Sequence, residues 1–210
     1  MKTFAFFSHK GGTGKSTLAI HLAVQAYTEG LEVLLVDLDH HSATVAEWAS
    51  IRTQNQPVVV TASPSDIPEL KQQAMEEGFD LLMLDCSPYY NDDTMRISEL
   101  ADITIIPTAP RFAEISSLPK GIDKVQPPLM VVLNSCTPDN QETVSFKTVQ
   151  VREILEEHNI PVSHVHVTRL EAFTESLNYG QGVAEYQPDG KASIQVKALL
   201  EWLNQPPVKA

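Results

Sequence analysis

Cysteine is scarce in this 210-residue chain, which contains only Cys86 and Cys136. They lack the C-x-x-C spacing of a zinc or redox site and are too few for an iron–sulfur cluster, so we expect reduced, buried thiols. No apolar run approaches the roughly 18 residues of a membrane span. The chain starts with a strand-length apolar run rather than a signal peptide. These absences predict a cytoplasmic protein with no membrane partner.

Basic residues are also in short supply, and the formal net charge is −12. Because phosphate contact needs local Lys and Arg, this charge argues against a general nucleic-acid-binding surface. The distribution is uneven: residues 1–110 contain 6 Lys/Arg and 15 Asp/Glu, whereas residues 111–210 contain 9 and 12. Any basic surface must therefore be local, and we expect it in the second half.

The chain does contain a series of short apolar runs separated by amphipathic segments. Seven runs are typical of buried strands: residues 3–8, 33–37, 58–60, 81–85, 103–107, 129–134 and 162–168. The first helix has Leu18, Leu22 and Ala26 on one face and Gly30 as its expected C-terminal cap. We predict irregular structure at 87–94 and 179–191 and a last helix over 192–204. The alternation predicts a single α/β domain over residues 1–210, with a mainly parallel twisted β-sheet and helices on both faces.

The segment "SHKGGTGKST", residues 8–17, joins the first predicted strand to the first helix. Its glycines permit a tight backbone that approaches an anion closely, while Lys15 supplies charge to phosphates and Ser16 a hydroxyl to Mg²⁺. The loop fits G-x-x-x-x-G-K-[ST] with His9 or Lys10 where the first Gly is usual. The alternative is a glycine-rich turn with incidental lysines. The expected nucleotide contacts are Lys10, Gly11, Gly12, Thr13, Gly14, Lys15, Ser16 and Thr17.

Three carboxylates lie where predicted strands end. Asp37 and Asp39 leave one apolar run, and Asp85 ends another. Side-chain alternation along an extended chain places the first two on one side. Ligands of open α/β sheets collect beyond the carboxyl ends of the strands, so all three should share a crevice with the glycine-rich loop. Each carboxylate taken alone has the alternative of a turn former or helix cap.

The segments "KGGTGKST" (10–17), "LLVDLDHH" (34–41) and "LLMLDCSP" (81–88) resemble the ParA/MinD family of deviant-Walker ATPases, and the short chain is most similar to small ParA proteins of plasmid partition and cargo positioning. The resemblance implies a SIMIBI-like P-loop NTPase fold, ATP and Mg²⁺ as cofactors, and slow, partner-stimulated hydrolysis to ADP and phosphate. It implies that Lys10 reaches the partner's phosphates across an ATP-dependent sandwich homodimer. The alternative for Lys10 is a solvated lysine beside the loop.

The same resemblance assigns roles to the carboxylates. Asp39 orients or activates the attacking water, which makes Lys10, Lys15 and Asp39 the catalytic residues. Ser16 binds Mg²⁺, and Asp37 and Asp85 hold it through water. The chain departs from the family's D-x-D-P-Q pattern, because His40 and His41 replace Pro and Gln, and a pair of tyrosines at 89–90 follows the second acidic segment. These departures concern rate and coupling rather than nucleotide binding.

The base and the partners are predicted from weaker signals. No N-K-x-D guanine motif follows a strand, which favours adenine, and by resemblance Asn134 contacts the adenine edge. The alternative for Asn134 is a strand-end residue that closes a turn. The resemblance further implies a basic ParB-like or cargo-adaptor partner and ATP-dependent, nonspecific DNA binding with nucleoid association. It places the DNA contacts at Arg169, opening the helix after the last strand, and at Lys191 and Lys197, for which a solvated helix face is the alternative.

Two other functions of the same fold remain open. A dethiobiotin-synthetase-like ligase would need a substrate pocket that the sequence does not reveal, and it would have no evident use for Lys10. A membrane-cycling ATPase like MinD would need a basic amphipathic C-terminal helix, whereas "LLEWLNQPPVKA" offers one lysine after a Pro-Pro break.

Overall fold

The computed structural model describes residues 1–8, 10–88, 92–116, 118–137 and 145–205, so that His9, Tyr89 and Tyr90 lie outside the described residues. The strands are β1 (Lys2–Phe6), β2 (Val33–Asp37), β3 (Val58–Thr61), β4 (Leu81–Asp85), β5 (Ile103–Thr108) and β6 (Leu129–Leu133). They form one sheet in the order β3-β2-β4-β1-β5-β6, with every pairing parallel. The predicted parallel α/β fold is confirmed.

The helices connect and cover these strands. They are α1 (Lys15–Thr28), α2 (Thr44–Ile51), α3 (Ile67–Glu76), α4 (Asp92–Leu100), α5 (Phe112–Ile115), α6 (Leu118–Ile122), α7 (Phe146–Glu157), α8 (Ala172–Glu175), α9 (Val183–Tyr186) and α10 (Lys191–Leu203), with 3₁₀ turns at Pro64–Asp66 and Ser176–Tyr179. The last helix thus lies within one residue of its predicted bounds. The predicted irregular stretch 179–191 contains the short helix α9.

Alternating side chains of the strands build a hydrophobic core on each face of the sheet. Phe4, Leu35 and Met83 pack in a cluster with α1, α2 and α10. Ala5 and Leu84, which point to the opposite face, pack in a cluster with α3 and α4. Because both faces are covered, β2 and β4 are buried at every position, as is usual for strands of a parallel sheet.

Helix α1 begins at the glycine-rich loop and crosses the middle of the sheet. Its predicted apolar face is buried: Leu18, Leu22 and Ala26. The helix ends at the predicted glycine, since Gly30 has a φ of 90° and its N–H donates to the Tyr27 carbonyl at 2.9 Å. The N–H of Leu31 donates to the Ala26 carbonyl at 3.1 Å. These two bonds form a Schellman motif, which a left-handed glycine allows.

The prediction of a seventh strand over residues 162–168 was wrong. The segment runs beside β6, where Val162 forms an isolated bridge with Val131, and Thr168 forms a second isolated bridge with Cys136, beyond the end of the strand. The Ser163 hydroxyl accepts a hydrogen bond from the Val165 N–H at 3.1 Å. A side chain that bonds its own backbone in this way competes with the ladder, and the segment therefore does not continue as a strand.

Two expectations drawn from absences can be compared with the structure. Cys86 and Cys136 are free and buried, as predicted. None of the helices in the described part of the chain has the length and apolar character needed to span a bilayer.

Candidate functional site

The glycine-rich loop follows β1 and turns sharply into α1. Gly12 has a φ of 80° and Gly14 a φ of 88°, a left-handed conformation that side chains with a Cβ rarely adopt. Gly14 is the N-cap of α1, and its carbonyl accepts the first helical bond, from the Leu18 N–H at 2.9 Å. The loop therefore needs its glycines for backbone geometry.

The N-terminus of α1 is open. Among the described residues, no side chain caps it, and its first turn contains no acidic residue. The first N–H groups of a helix have no partner within the helix, and they carry its positive dipole end. Such a terminus attracts an anion.

Lys15, the first residue of α1, is buried to 7% exposure and forms an ion pair with Asp85. Its Nζ lies 2.8 Å from Asp85 Oδ1 and 3.4 Å from Ser16 Oγ. Asp85 is fully buried at the end of β4. Burial raises the pKa of its carboxyl above the usual value, although the Lys15 charge opposes this shift. The pair therefore places a cation and a carboxylate at the helix terminus.

The other oxygen of this carboxylate is incompletely satisfied. Asp85 Oδ2 is buried without a hydrogen-bond partner in the part of the chain that the structure describes, as is Thr13 Oγ1 in the loop. Orphaned buried oxygens are costly, and a ligand that supplies donors or a cation would satisfy them. No group of three His, Cys, Asp or Glu side chains able to hold a metal occurs among the described residues. The set of Ser16 and Asp85 fits Mg²⁺, which takes oxygen ligands and keeps several waters.

Asp37 lies across from Asp85, since the two are register partners in β2 and β4. Its carboxylate accepts three backbone hydrogen bonds: Oδ1 from the Asp39 N–H at 2.9 Å, and Oδ2 from the N–H groups of Val45 and Ala46 at 3.1 and 3.0 Å. Asp37 thus caps the N-terminus of α2 from a neighbouring strand. The helix-cap alternative considered for it describes this geometry.

Asp39 holds the turn that follows β2. Its Oδ2 accepts from the Ser42 hydroxyl at 2.6 Å, and its Oδ1 accepts from the N–H groups of His41 and Ser42 at 3.2 and 3.3 Å. Burial acts to raise the pKa of Asp39, but the bonds from Ser42 and His41 and the charge of Lys15 together lower it below the usual value. Asp39 is therefore ionised and able to accept a hydrogen bond.

Lys10 is exposed and lies against its own chain. Its Nζ donates to the Ala113 carbonyl of α5 at 2.8 Å. Lys10 and Thr13 also line an open cleft whose other wall includes Thr108 and Leu118. The contact with α5 was not anticipated from the sequence, and it leaves both interpretations of Lys10, a solvated lysine and a lysine directed at another subunit, as predictions.

Asn134 follows β6 and lies directly under the loop. Its Nδ2 donates to the Thr13 carbonyl at 2.8 Å, and its side chain is 7% exposed. The backbone N–H of Asn134 donates to the Thr108 carbonyl at 2.9 Å. Because one N–H of the amide is engaged by the loop, the second N–H and the acceptor oxygen Oδ1 would be left to contact a base.

Comparison with known proteins gives a family for this arrangement. Residues 4–183 match the profile of the CobQ/CobB/MinD/ParA nucleotide-binding domain. The chain belongs to this family. An uncharacterized protein of Mycobacterium tuberculosis is 24% identical, over 96% of this chain and 78% of that protein.

Solved structures of the MinD and ParA groups have the same fold. MinD of Pyrococcus horikoshii, the septum site-determining protein complexed with Mg-ADP, has a TM-score of 0.73 at 17% identity, over 97% of this chain and 96% of that one. A ParA family ATPase of Chlorobium tepidum has a TM-score of 0.69 at 19% identity, over 97% and 98%. The chain is therefore a nucleotide-binding domain of the ParA/MinD type, and the loop, Lys15 and Asp85 lie within the matched region.

The basic residues named from the sequence as DNA contacts are exposed. Arg169 does not open a helix as predicted, because α8 begins at Ala172. Lys191 and Lys197 both lie on α10, about 120° apart around the helix axis. Burial and the neighbouring charges of Arg152 and Lys191 lower the pKa of His166. Lys191 thus belongs to a small positive region that also includes Arg152.

Sequence reasoning missed two groups of residues that shape the site. One is Ser42, whose hydroxyl fixes Asp39; a Ser three residues after an Asp is the signal that could have indicated this turn. The other is the buried pair of Arg52 and Glu185, joined at 2.6 Å, which attaches the end of α2 to α9. Their separation of 133 residues left no local pattern to find.

Proposed function

We propose that this protein is a ParA-type ATPase, in which ATP-bound subunits form a sandwich dimer that hydrolysis takes apart. The observation that carries the proposal is the buried Lys15–Asp85 pair beside an open helix N-terminus. In this arrangement a phosphate group would replace Asp85 as the partner of Lys15, and the freed carboxylate would turn to the cation that accompanies the nucleotide.

The chain's own groups bind and orient the nucleotide in this proposal. The loop N–H groups and Lys15 bind the phosphates, while Ser16 and Asp85 would hold Mg²⁺. When bound, Mg²⁺ neutralises charge on the phosphate oxygens. Asp39, which is ionised, accepts a hydrogen bond from the attacking water and orients it.

Asp37 and Lys10 have indirect roles. Asp37 keeps α2 and the Asp39 turn in place through its three backbone bonds, and the remaining acceptor site of its carboxylate would join the water shell of Mg²⁺. Lys10 would leave Ala113 and contact the nucleotide of the second subunit, so that hydrolysis depends on dimerisation.

For the biological output we propose the positioning of DNA or another cargo. The ATP dimer would bind DNA nonspecifically through Arg169, Lys191 and Lys197, and dimerisation would double the positive region around Lys191. A basic segment of a ParB-like or adaptor protein would suit the net charge of −12. A MinD-like output at a membrane is the second candidate, because the fold resembles MinD and ParA structures to a similar degree.

Nucleotide titration and light scattering test the ATPase proposal. We expect Mg-ATP to bind and to convert monomers to dimers, whereas Lys10→Ala should bind Mg-ATP and stay monomeric. If the wild-type protein binds no nucleotide, the ATPase proposal is wrong. If Lys10→Ala still forms an ATP-dependent dimer, Lys10 does not have the proposed role.

Filter binding of a random DNA duplex tests the output. We expect retention with Mg-ATP, none with ADP or without nucleotide, and loss at moderate salt and in an Arg169/Lys191/Lys197 triple alanine variant. If ATP gives no retention at low salt, the DNA proposal is wrong. Binding of the ATP dimer to anionic lipid vesicles instead would favour the MinD-like output.

A further inference from the structure

We infer that Asn134 is a positioning residue for the phosphate-binding loop, acting from beneath it whichever base is bound. The inference rests on the proposed nucleotide site. It differs from the adenine contact expected from the sequence, because it concerns the phosphates.

The first observation is the hydrogen bond from Asn134 Nδ2 to the Thr13 carbonyl. The bond is buried and 2.8 Å long, and it joins residues 121 positions apart. The Thr13 carbonyl belongs to the peptide that leads into Gly14. A bond to this carbonyl fixes the plane of the peptide and therefore the direction of the N–H on its other side.

The second observation is the contact between the amide and Gly14. A Cβ built on Gly14 would lie 2.3 Å from Asn134 Nδ2, whereas one built on Gly12 would meet nothing within 4 Å. Both glycines have positive φ. Both glycines are therefore favoured by backbone conformation, and at Gly14 a Cβ would in addition push the Asn134 amide away from the Thr13 carbonyl.

The third observation is how Asn134 itself is held. Its backbone N–H donates to the Thr108 carbonyl at the end of β5, and its side chain is almost wholly buried. The amide thus transmits the position of the β5 and β6 ends to the loop. Loss of this support would leave the loop N–H groups less well aimed at phosphates, which lowers affinity for every nucleotide.

Calorimetric binding of Mg-ATP and of Mg-tripolyphosphate, which has no base, separates the two roles. We expect Asn134→Ala to lower the affinity for both ligands, by about tenfold for tripolyphosphate, as loss of a buried hydrogen bond would do. Asn134→Asp, which has no donor for the Thr13 carbonyl, should be at least as weak. If the affinity of Asn134→Ala for tripolyphosphate stays within twofold of wild type, the inference is wrong, whatever happens to ATP. Absence of nucleotide binding by the wild type would instead contradict the proposed function.

A double-mutant cycle supplies a readout that survives loss of binding. We expect Gly14→Ala to lower the urea midpoint less in the Asn134→Ala background than in the wild type, because the collision with the amide is gone. Gly12→Ala, which has the same backbone strain and no such collision, should lower it equally in both backgrounds. Equal shifts for Gly14→Ala would contradict a direct contact between the loop and Asn134.

Discussion

Asp37 and Asp85 occupy equivalent places in the fold and have opposite surroundings. They end adjacent strands, lie opposite each other in register, and are both buried. The Asp37 carboxylate accepts three backbone N–H bonds. Asp85 accepts a bond from Lys15 through one oxygen, and its other oxygen has no partner in the described part of the chain.

The difference shows that two similar apolar runs, each ending in an aspartate, can have different roles: Asp37 has a structural role, and Asp85 is suited to binding a ligand. Backbone N–H groups are fixed by the fold, so a carboxylate that accepts bonds from three of them remains a helix cap whether or not a ligand binds. A lysine at the start of a helix can change partner, so a carboxylate that depends on it is prepared for exchange. Burial of Asp85 raises its pKa, which means that burial disfavours its charged form. A bound cation would stabilise that form.

The largest expected effect comes from removing Lys15, the ion-pair partner of Asp85. Lys15→Ala should weaken Mg-ATP binding by at least about 100-fold, because the charge-assisted bonds that the Lys15 ammonium makes to phosphate are lost. A fluorescent ATP analogue measures the affinity, and circular dichroism should show an unchanged fold. Unchanged affinity would exclude Lys15 from the site.

The next effect concerns Asp39, whose ionised carboxylate can accept a hydrogen bond from water. Asp39→Ala should bind Mg-ATP but hydrolyse it about 100-fold more slowly, because the attacking water loses its acceptor. Phosphate release measures the rate, and an ATP-stabilised dimer should accumulate on size-exclusion chromatography. Turnover at the wild-type rate would assign the water to another residue.

Stability measurements test the comparison of Asp37 with Asp85 directly. Asp37→Asn should lower the free energy of unfolding by about 2 kcal/mol, since an amide cannot accept all three backbone bonds and leaves buried donors unsatisfied. Asp85→Asn leaves the buried Lys15 without a counter-charge, so it should also lower stability, by about 3 kcal/mol, while impairing Mg²⁺-dependent binding. Lys15→Ala should recover most of that loss in a double variant, whereas it should not recover the loss of Asp37→Asn. Urea unfolding without nucleotide gives these values, and a loss in Asp85→Asn that persists in the Lys15→Ala background would contradict the division of roles.

The smallest effect is a difference in pH dependence. The raised pKa of Asp85 means that the folded state holds its proton more tightly, so its contribution to stability decreases as pH rises just above the ordinary carboxyl pKa. The lowered pKa of Asp39 has the opposite sign, and its contribution is lost as pH falls below the ordinary value. We would measure the free energy of unfolding from about pH 3 to 6. The decrease with rising pH should be absent in Asp85→Asn, and the decrease with falling pH should be absent in Asp39→Asn. Slopes that match the wild type in both variants would contradict these assignments.

The parts that the sequence predicted are those encoded by local patterns. Apolar runs, a glycine at the end of α1 and the order of strands and helices were enough for the parallel sheet. The segment 162–168 was misread because its apolar pattern is that of a strand, whereas the Ser163 hydroxyl bonds the backbone and interrupts the ladder. Alternation alone cannot show that competition.

The site was predicted in outline, and its detail depended on distant contacts. Residue types identified the loop and the three carboxylates. They did not reveal that Asp37 caps α2, that Lys10 contacts Ala113, or that Asn134 supports the loop. The contacts of Lys10 and Asn134 join residues more than one hundred positions apart, and the cap by Asp37 depends on how the turn after β2 folds back on the strand. Single-residue patterns contain no information about such contacts.

The parts of the nucleotide site are far apart in the sequence, and this determines when the site can form during synthesis. The loop motif is complete within the first 17 residues, yet its ion-pair partner follows 70 residues after Lys15, and its support follows 121 residues after Thr13. A chain emerging from the ribosome therefore displays the motif long before it has a site. We expect nascent chains halted before β6 not to bind ATP. Nucleotide would then stabilise only those chains that already contain most of the sheet.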